Sequence, residues 1–137
     1  MTWNALLIED IKQLQARRVR SLDTEDWELD RACHAPDMEH ELDGVKVAGL
    51  DAVMTRVSRE VEGAVSIHHV HSPENEVTSA TTATGIWALE DHLIWPSKWQ
   101  HGYGHYFDTY KKLNGTWVFT SRTITRLRME TVAISND

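Results

Sequence analysis

A chain of 137 residues, 41% hydrophobic and 26% charged, has the size of one folded domain spanning 1–137 and enough apolar content to bury a core. Its net charge of −7 speaks against nucleic acid and anionic membranes as partners, and no apolar run is long enough to span a bilayer. The start, MTWNALLIEDIKQLQARR, mixes acids with bases and lacks the pattern of a signal peptide, so a cytosolic protein is expected.

Leu7, Ile11, Leu14, Arg18 and Leu22 recur at helical spacing and predict a first helix with one arginine in its apolar stripe. Asp23 and Thr24 are candidate N-caps for a second helix, TEDWELDRACH, which Pro36 stops. The lone cysteine, Cys33, has no partner for a disulfide and reads as a core residue. A short strand around MEHEL and a turn at Gly44 lead to a third helix carrying Leu50, Val53, Met54, Val57 and Val61, closed by Gly63. From Ala64 the period changes to two, predicting strands near 64–72, 76–91, 100–112 and 116–130, with Asn114-Gly115 as the turn of the last hairpin. Helices followed by antiparallel strands mean an α+β fold. Ile94 to Trp99, with Pro96, reads as a loop, either a plain connection or a lid.

Eight histidines and six tryptophans suggest proton chemistry within apolar walls. Alternation along the strand from Val77 to Asp91 puts Val77, Ala83, Gly85, Trp87, Leu89 and Asp91 on one face. Asp91 is then either a carboxylate where the strand meets water or a desolvated pocket acid. Arg18 is either an ion-pairing or snorkelling side chain or a fixed cation facing a cavity. In Ser-Ile-His68-His69-Val-His71, His68 points to one face and His69 with His71 to the other. His68 could act as a general base oriented by a carboxylate such as Asp23. Alternatively His69 and His71 could bind a metal, since Gly63-x5-His69-x-His71-x4-Glu76 resembles the first motif of the cupins. Without that role, His69 and His71 face solvent or a subunit interface.

The segments ARRVRSLDTEDW, SIHHVHSPE, TTATGIWALED, GHYFDTYKKLNGTWVF and TRLR, in this order and spacing, resemble the SnoaL-like members of the nuclear transport factor 2-like superfamily over nearly the whole chain. The resemblance implies a cone-shaped barrel of curved antiparallel sheet, closed by three N-terminal helices around one pocket. It also implies a homodimer or homotrimer, for which the outer face carrying Tyr103, His105 and Phe107 is suited. The superfamily holds dehydratases, a dehydrochlorinase, steroid isomerases, polyketide cyclases and binding domains without activity. Carried over by position, Asp23 and His68 match its acid–base pair, Asp91 a second acid and Arg122 an arginine of the dehydrochlorinase. Arg18 stands where relatives hold a tyrosine or lysine, and Tyr106 could supply the phenol instead. The expected activity is a cofactor-independent elimination, with no metal, on a small alicyclic or polycyclic hydroxylated substrate. His68 would be the base, Asp23 its partner, Asp91 a protonated acid at the departing oxygen and Arg18 the stabiliser of negative charge. Trp27, Trp87, Tyr106 and Arg122 would contact substrate. An isomerase, a cyclase or a non-catalytic carrier would use the same pocket.

Overall fold

A computed structural model describes residues 2–135. The elements run α1 (Thr2–Asp23), α2 (Trp27–Ala32), β1 (His34–Leu42), β2 (Val45–Ala48), α3 (Leu50–Glu60), β3 (Val65–Val77), β4 (Thr82–Trp95), β5 (Lys98–Leu113) and β6 (Thr116–Ala133). The strands form one curved six-stranded sheet in the order β2-β1-β6-β5-β4-β3, with β2 and β3 as free edges. The three helices lie with the sheet as the α+β reading requires. The sheet is mixed, because β1 pairs with β6 in parallel while every other pair is antiparallel. No hairpin links the chain's first long strand to its last, so local pattern could not reveal that pairing.

Several boundaries depart from the sequence reading for local reasons. Asp23 and Thr24 do not cap α2; the Thr24 amide continues the helical pattern to the Arg20 carbonyl, and the cap passes to Asp26, whose carboxylate accepts from the Leu29 amide at 3.2 Å. The second helix ends at Ala32 instead of reaching Pro36. Pro36 falls in β1, within the irregular stretch between His34 and Glu39 where the ladder to β6 is interrupted and no proline N–H is needed. Pro73 is absorbed in the same way by a bulge between His71 and Glu74, with Ser72 at φ 51°, so β3 continues to Val77. The segment around Pro96 is no lid. Trp95 pairs with Lys98, so Pro96 and Ser97 form a tight hairpin turn.

Ile11, Leu14 and Leu22 of α1 and Val53 and Val57 of α3 bury against Met38, Tyr110, Trp117 and Phe119 from the sheet. A second apolar group, Trp87, Leu89 and Tyr106, lies on the same inner face of β4 and β5. Between β5 and β6 a bulge opposes Tyr103 to Arg128 but Gly104 to Arg126, leaving Leu127 as the extra, outward residue. Here a side chain at position 104 would collide with the Thr125 backbone carbonyl, so the close approach of the two strands requires glycine.

Beneath these groups lies a buried polar layer. The Arg122 guanidinium is 1% exposed, stacks on Phe119 at 4.6 Å, meets His34 Nε2 at 3.2 Å and lies 3.6 Å from Asp108. Asp108 accepts from Gln15 at 3.0 Å and from the Tyr110 hydroxyl at 3.1 Å, and Tyr110 accepts from the Trp87 indole at 2.9 Å. Arg122 and Trp87, expected to contact substrate, are instead buried in this network. Trp27 is also displaced from its expected place, half-buried against the apolar cluster on the outer side of α2 and α3.

Two consequences are measurable. Gly104→Ala should destabilise the fold by about 1–3 kcal/mol, because the clash is with backbone; an unchanged urea midpoint would contradict the close-packed bulge. His40, 2% exposed, has its pKa lowered to about 3 by burial, then by Arg122 and Arg18, and burial and Arg122 also hold His34 well below the ordinary histidine range. The unfolded chain therefore binds more protons than the folded one below the ordinary histidine pKa of 6.5. Stability should fall as pH drops from about 6.5 toward about 3, and more shallowly in His40→Gln, as read by chemical denaturation at a series of pH values.

Candidate active site

The inner face of the sheet, the C-terminal half of α1 and α3 enclose a cavity of about 210 Å³. His68 enters it from β3 and Asp91 from β4, and the two are direct cross-strand partners, so alternation on both strands sends them to the same side. Asp91 in turn pairs with Gly102 of β5. The site is thus a row running across the sheet.

Asp23 stands behind the histidine, at the last residue of α1. Its Oδ1 accepts from His68 Nδ1 at 2.7 Å and from the Ser66 hydroxyl at 3.0 Å, and its Oδ2 accepts from the His68 backbone N–H at 2.8 Å. One carboxylate therefore grips both the ring and the main chain of His68. This is possible because β3 is an edge strand, whose alternate N–H groups point away from β4 toward α1. Since the carboxylate takes the Nδ1 hydrogen, the other ring nitrogen, Nε2, is left as the acceptor. It is 3.9 Å from Asp91 Oδ2, beyond hydrogen-bonding distance.

Asp91 lies beside His68 as alternation requires, but not as a proton donor. Arg126 reaches both of its oxygens, at 2.7 and 2.8 Å, so the carboxyl accepts on each side. Gly102 makes this pair possible, because a Cβ there would lie 2.7 Å from Arg126 Nη1 and 3.0 Å from Asp91 Oδ1. Arg126 was missed in the sequence. Its signals were the inward run Arg122, Ile124, Arg126 on β6 and the paired glycines of His-Gly102-Tyr-Gly104-His, which leave space on an otherwise bulky face.

Arg18 and Tyr106 both line the cavity, with the guanidinium 4.9 Å above the tyrosine ring. Arg18 is 3% exposed, and its Nη1 has no hydrogen-bond partner. His40 is a further lining residue that the sequence reading passed over. His69 and His71 are exposed on the opposite face, and among the described residues no three His, Cys, Asp or Glu side chains are grouped to hold a metal ion. The arrangement can accept a proton at His68, hold the resulting imidazolium between two carboxylates, and face it with cationic side chains.

Among the described residues no helix is long and apolar enough to cross a membrane. Many solved structures share the fold, among them three from different proteins. A protein assigned as a scytalone dehydratase, from Novosphingobium aromaticivorans, superposes with a TM-score of 0.87 over 95% of this chain and 91% of its own, at 21% identity. The hexachlorocyclohexane dehydrochlorinase of Novosphingobium barchaimii gives 0.80 over 97% and 93%, at 16% identity. A protein of unknown function from Mycobacterium tuberculosis gives 0.81 over 90% and 73%, at 26% identity. Residues 3–123 match the family model of the SnoaL-like domain, and the chain belongs to that family.

Proposed function

We propose that this protein is a cofactor-independent lyase that eliminates water, or a comparable small leaving group, from a small cyclic substrate. The observation that carries the reading is the 2.7 Å contact between Asp23 and His68 Nδ1, with His68 lining the cavity. That cavity, at about 210 Å³, is below the roughly 300–1,000 Å³ of common ligand pockets, which favours one or two rings over a larger polycycle.

His68 Nε2 takes a proton from carbon, and the C–H electron pair becomes the new double bond as the C–O bond breaks. Asp23 keeps the ring in the correct tautomer and stabilises the imidazolium. The departing oxygen leaves as water with the proton that His68 carries, which removes the need for a separate acid. Asp91, fixed by Arg126, accepts a hydrogen bond from the substrate hydroxyl before it leaves and faces the imidazolium afterwards. Arg18, seated on Tyr106, offsets negative charge on the substrate. Because Asp91 donates nothing, a proton returned from His68 to a different carbon would make the same site an isomerase.

Incubation with a panel of cyclic β-hydroxy ketones should yield products lighter by one water, and products of unchanged mass would identify the isomerase. His68→Ala should slow turnover by about a hundredfold or more, and Asp23→Asn should lower it by disturbing the tautomer. Near-normal turnover in His68→Ala would remove this residue as the base.

A further inference from the structure

One charge in the cavity lacks a direct ion pair. Arg18 is almost wholly buried, its Nη1 is unpartnered, and no ion pair to it occurs among the described residues. The buried carboxylates Asp30 and Asp108 favour the Arg18 charge but make no ion pair with it, and each buried carboxylate in the region has a nearer partner. Asp91 takes both of its guanidinium contacts from Arg126. Asp108 is held by Gln15, Tyr110 and Arg122, and Asp30 accepts from Ser21 at 3.0 Å. A guanidinium removed from water without a partner is strongly unfavourable, whereas completing the pair recovers that loss. The aromatic ring of Tyr106 offers partial compensation only.

His40 lines the same cavity and leaves its Nδ1 unpartnered. Burial, with Arg122 and Arg18 nearby, keeps its ring neutral, so it carries one N–H and adds no second positive charge. Arg18, His40 and Tyr106 are 3%, 2% and 1% exposed, against 8% for His68 and for Asp91, so the unpaired cation belongs to the more enclosed end of the site. The acids that line the cavity on its open side, Asp43 and Glu60, are exposed, and Glu60 is tethered to Arg56 at 3.3 Å. Solvent and salt screen them far more than the interior is screened.

We propose that the ligand carries a carboxylate, which seats against the Arg18 guanidinium and His40 at the enclosed end and places the reacting carbon beside His68. One unpaired cation and a neutral donor match a monoanion with two oxygens, whereas a phosphate would demand more positive charge than the cavity holds. The assignment of the reacting carbon rests on the reading of His68 as the base; the anion seat rests on Arg18 and His40 alone.

The test compares benzoate with its neutral isostere benzamide on the full chain at neutral pH, by calorimetry in low-chloride buffer. Benzoate should bind roughly tenfold or more tightly than benzamide, the scale of one added charged hydrogen bond. Arg18→Met should abolish the preference, and His68→Gln should retain it. Equal or stronger binding of benzamide, no binding of either compound, or a preference that survives Arg18→Met overturns the proposal. The wild-type comparison decides by itself if the Arg18 variant does not fold. A protein that prefers benzamide yet still needs His68 for turnover loses the carboxylate seat and keeps the base.

Discussion

A carboxylate on the last residue of a helix faces the negative end of the helix dipole and is unfavourable there unless something holds it. Asp23 is held by three donors from β3: the ring and backbone of His68 and the hydroxyl of Ser66. The same contacts fasten the end of α1 to the edge of the sheet and fix the orientation of the one histidine of the His68–His71 run that faces inward. Position, orientation and proton placement of His68 therefore all depend on this one carboxylate. The cost at the helix end is what a functional requirement would impose, since a basic residue would suit that position better.

The rest of the site follows from strand register. His68, Asp91 and Gly102 are successive cross-strand neighbours, so any slip of β4 by one residue would turn Asp91 outward. Gly102 leaves the volume that Arg126 fills, and the bulge at Leu127 lets β6 pass Gly104 closely enough to bring Arg126 across. The buried layer of Arg122, Asp108, Tyr110 and Trp87 supports this face from beneath without entering the cavity. It explains why so many polar residues could look catalytic while only some of them line the cavity.

Much of this was legible in the chain. The stripe of α1, the strand alternation and the family resemblance brought together Arg18, Asp23, His68, Asp91 and Tyr106. Local signals failed where the answer lay in another strand. The parallel pairing of β1 with β6 leaves no hairpin signature for a one-dimensional reading to find, whereas β2 follows β1 through the two-residue turn Asp43-Gly44 and only its shortness hid it. Proline was over-read as a terminator at Pro36, and the strand expected to end near 72 runs on past Pro73, because irregular ladders accommodate a residue that cannot donate. Arg122, suggested by the resemblance, and Trp87, suggested by alternation, are both buried in the polar layer, since neither signal reports depth. Asp91 looked like a desolvated acid because its partner, Arg126, lies 35 residues away on a strand whose register a bulge shifts.

The central claim is that Asp23 holds His68 with Nδ1 protonated and Nε2 free to accept. Nitrogen NMR of histidine-labelled protein, with His68 assigned by substitution, reports the tautomer directly. In the neutral ring Nδ1 should be protonated and Nε2 bare, with that preference lost in Asp23→Asn. A neutral His68 ring protonated at Nε2 in the wild-type protein would contradict it.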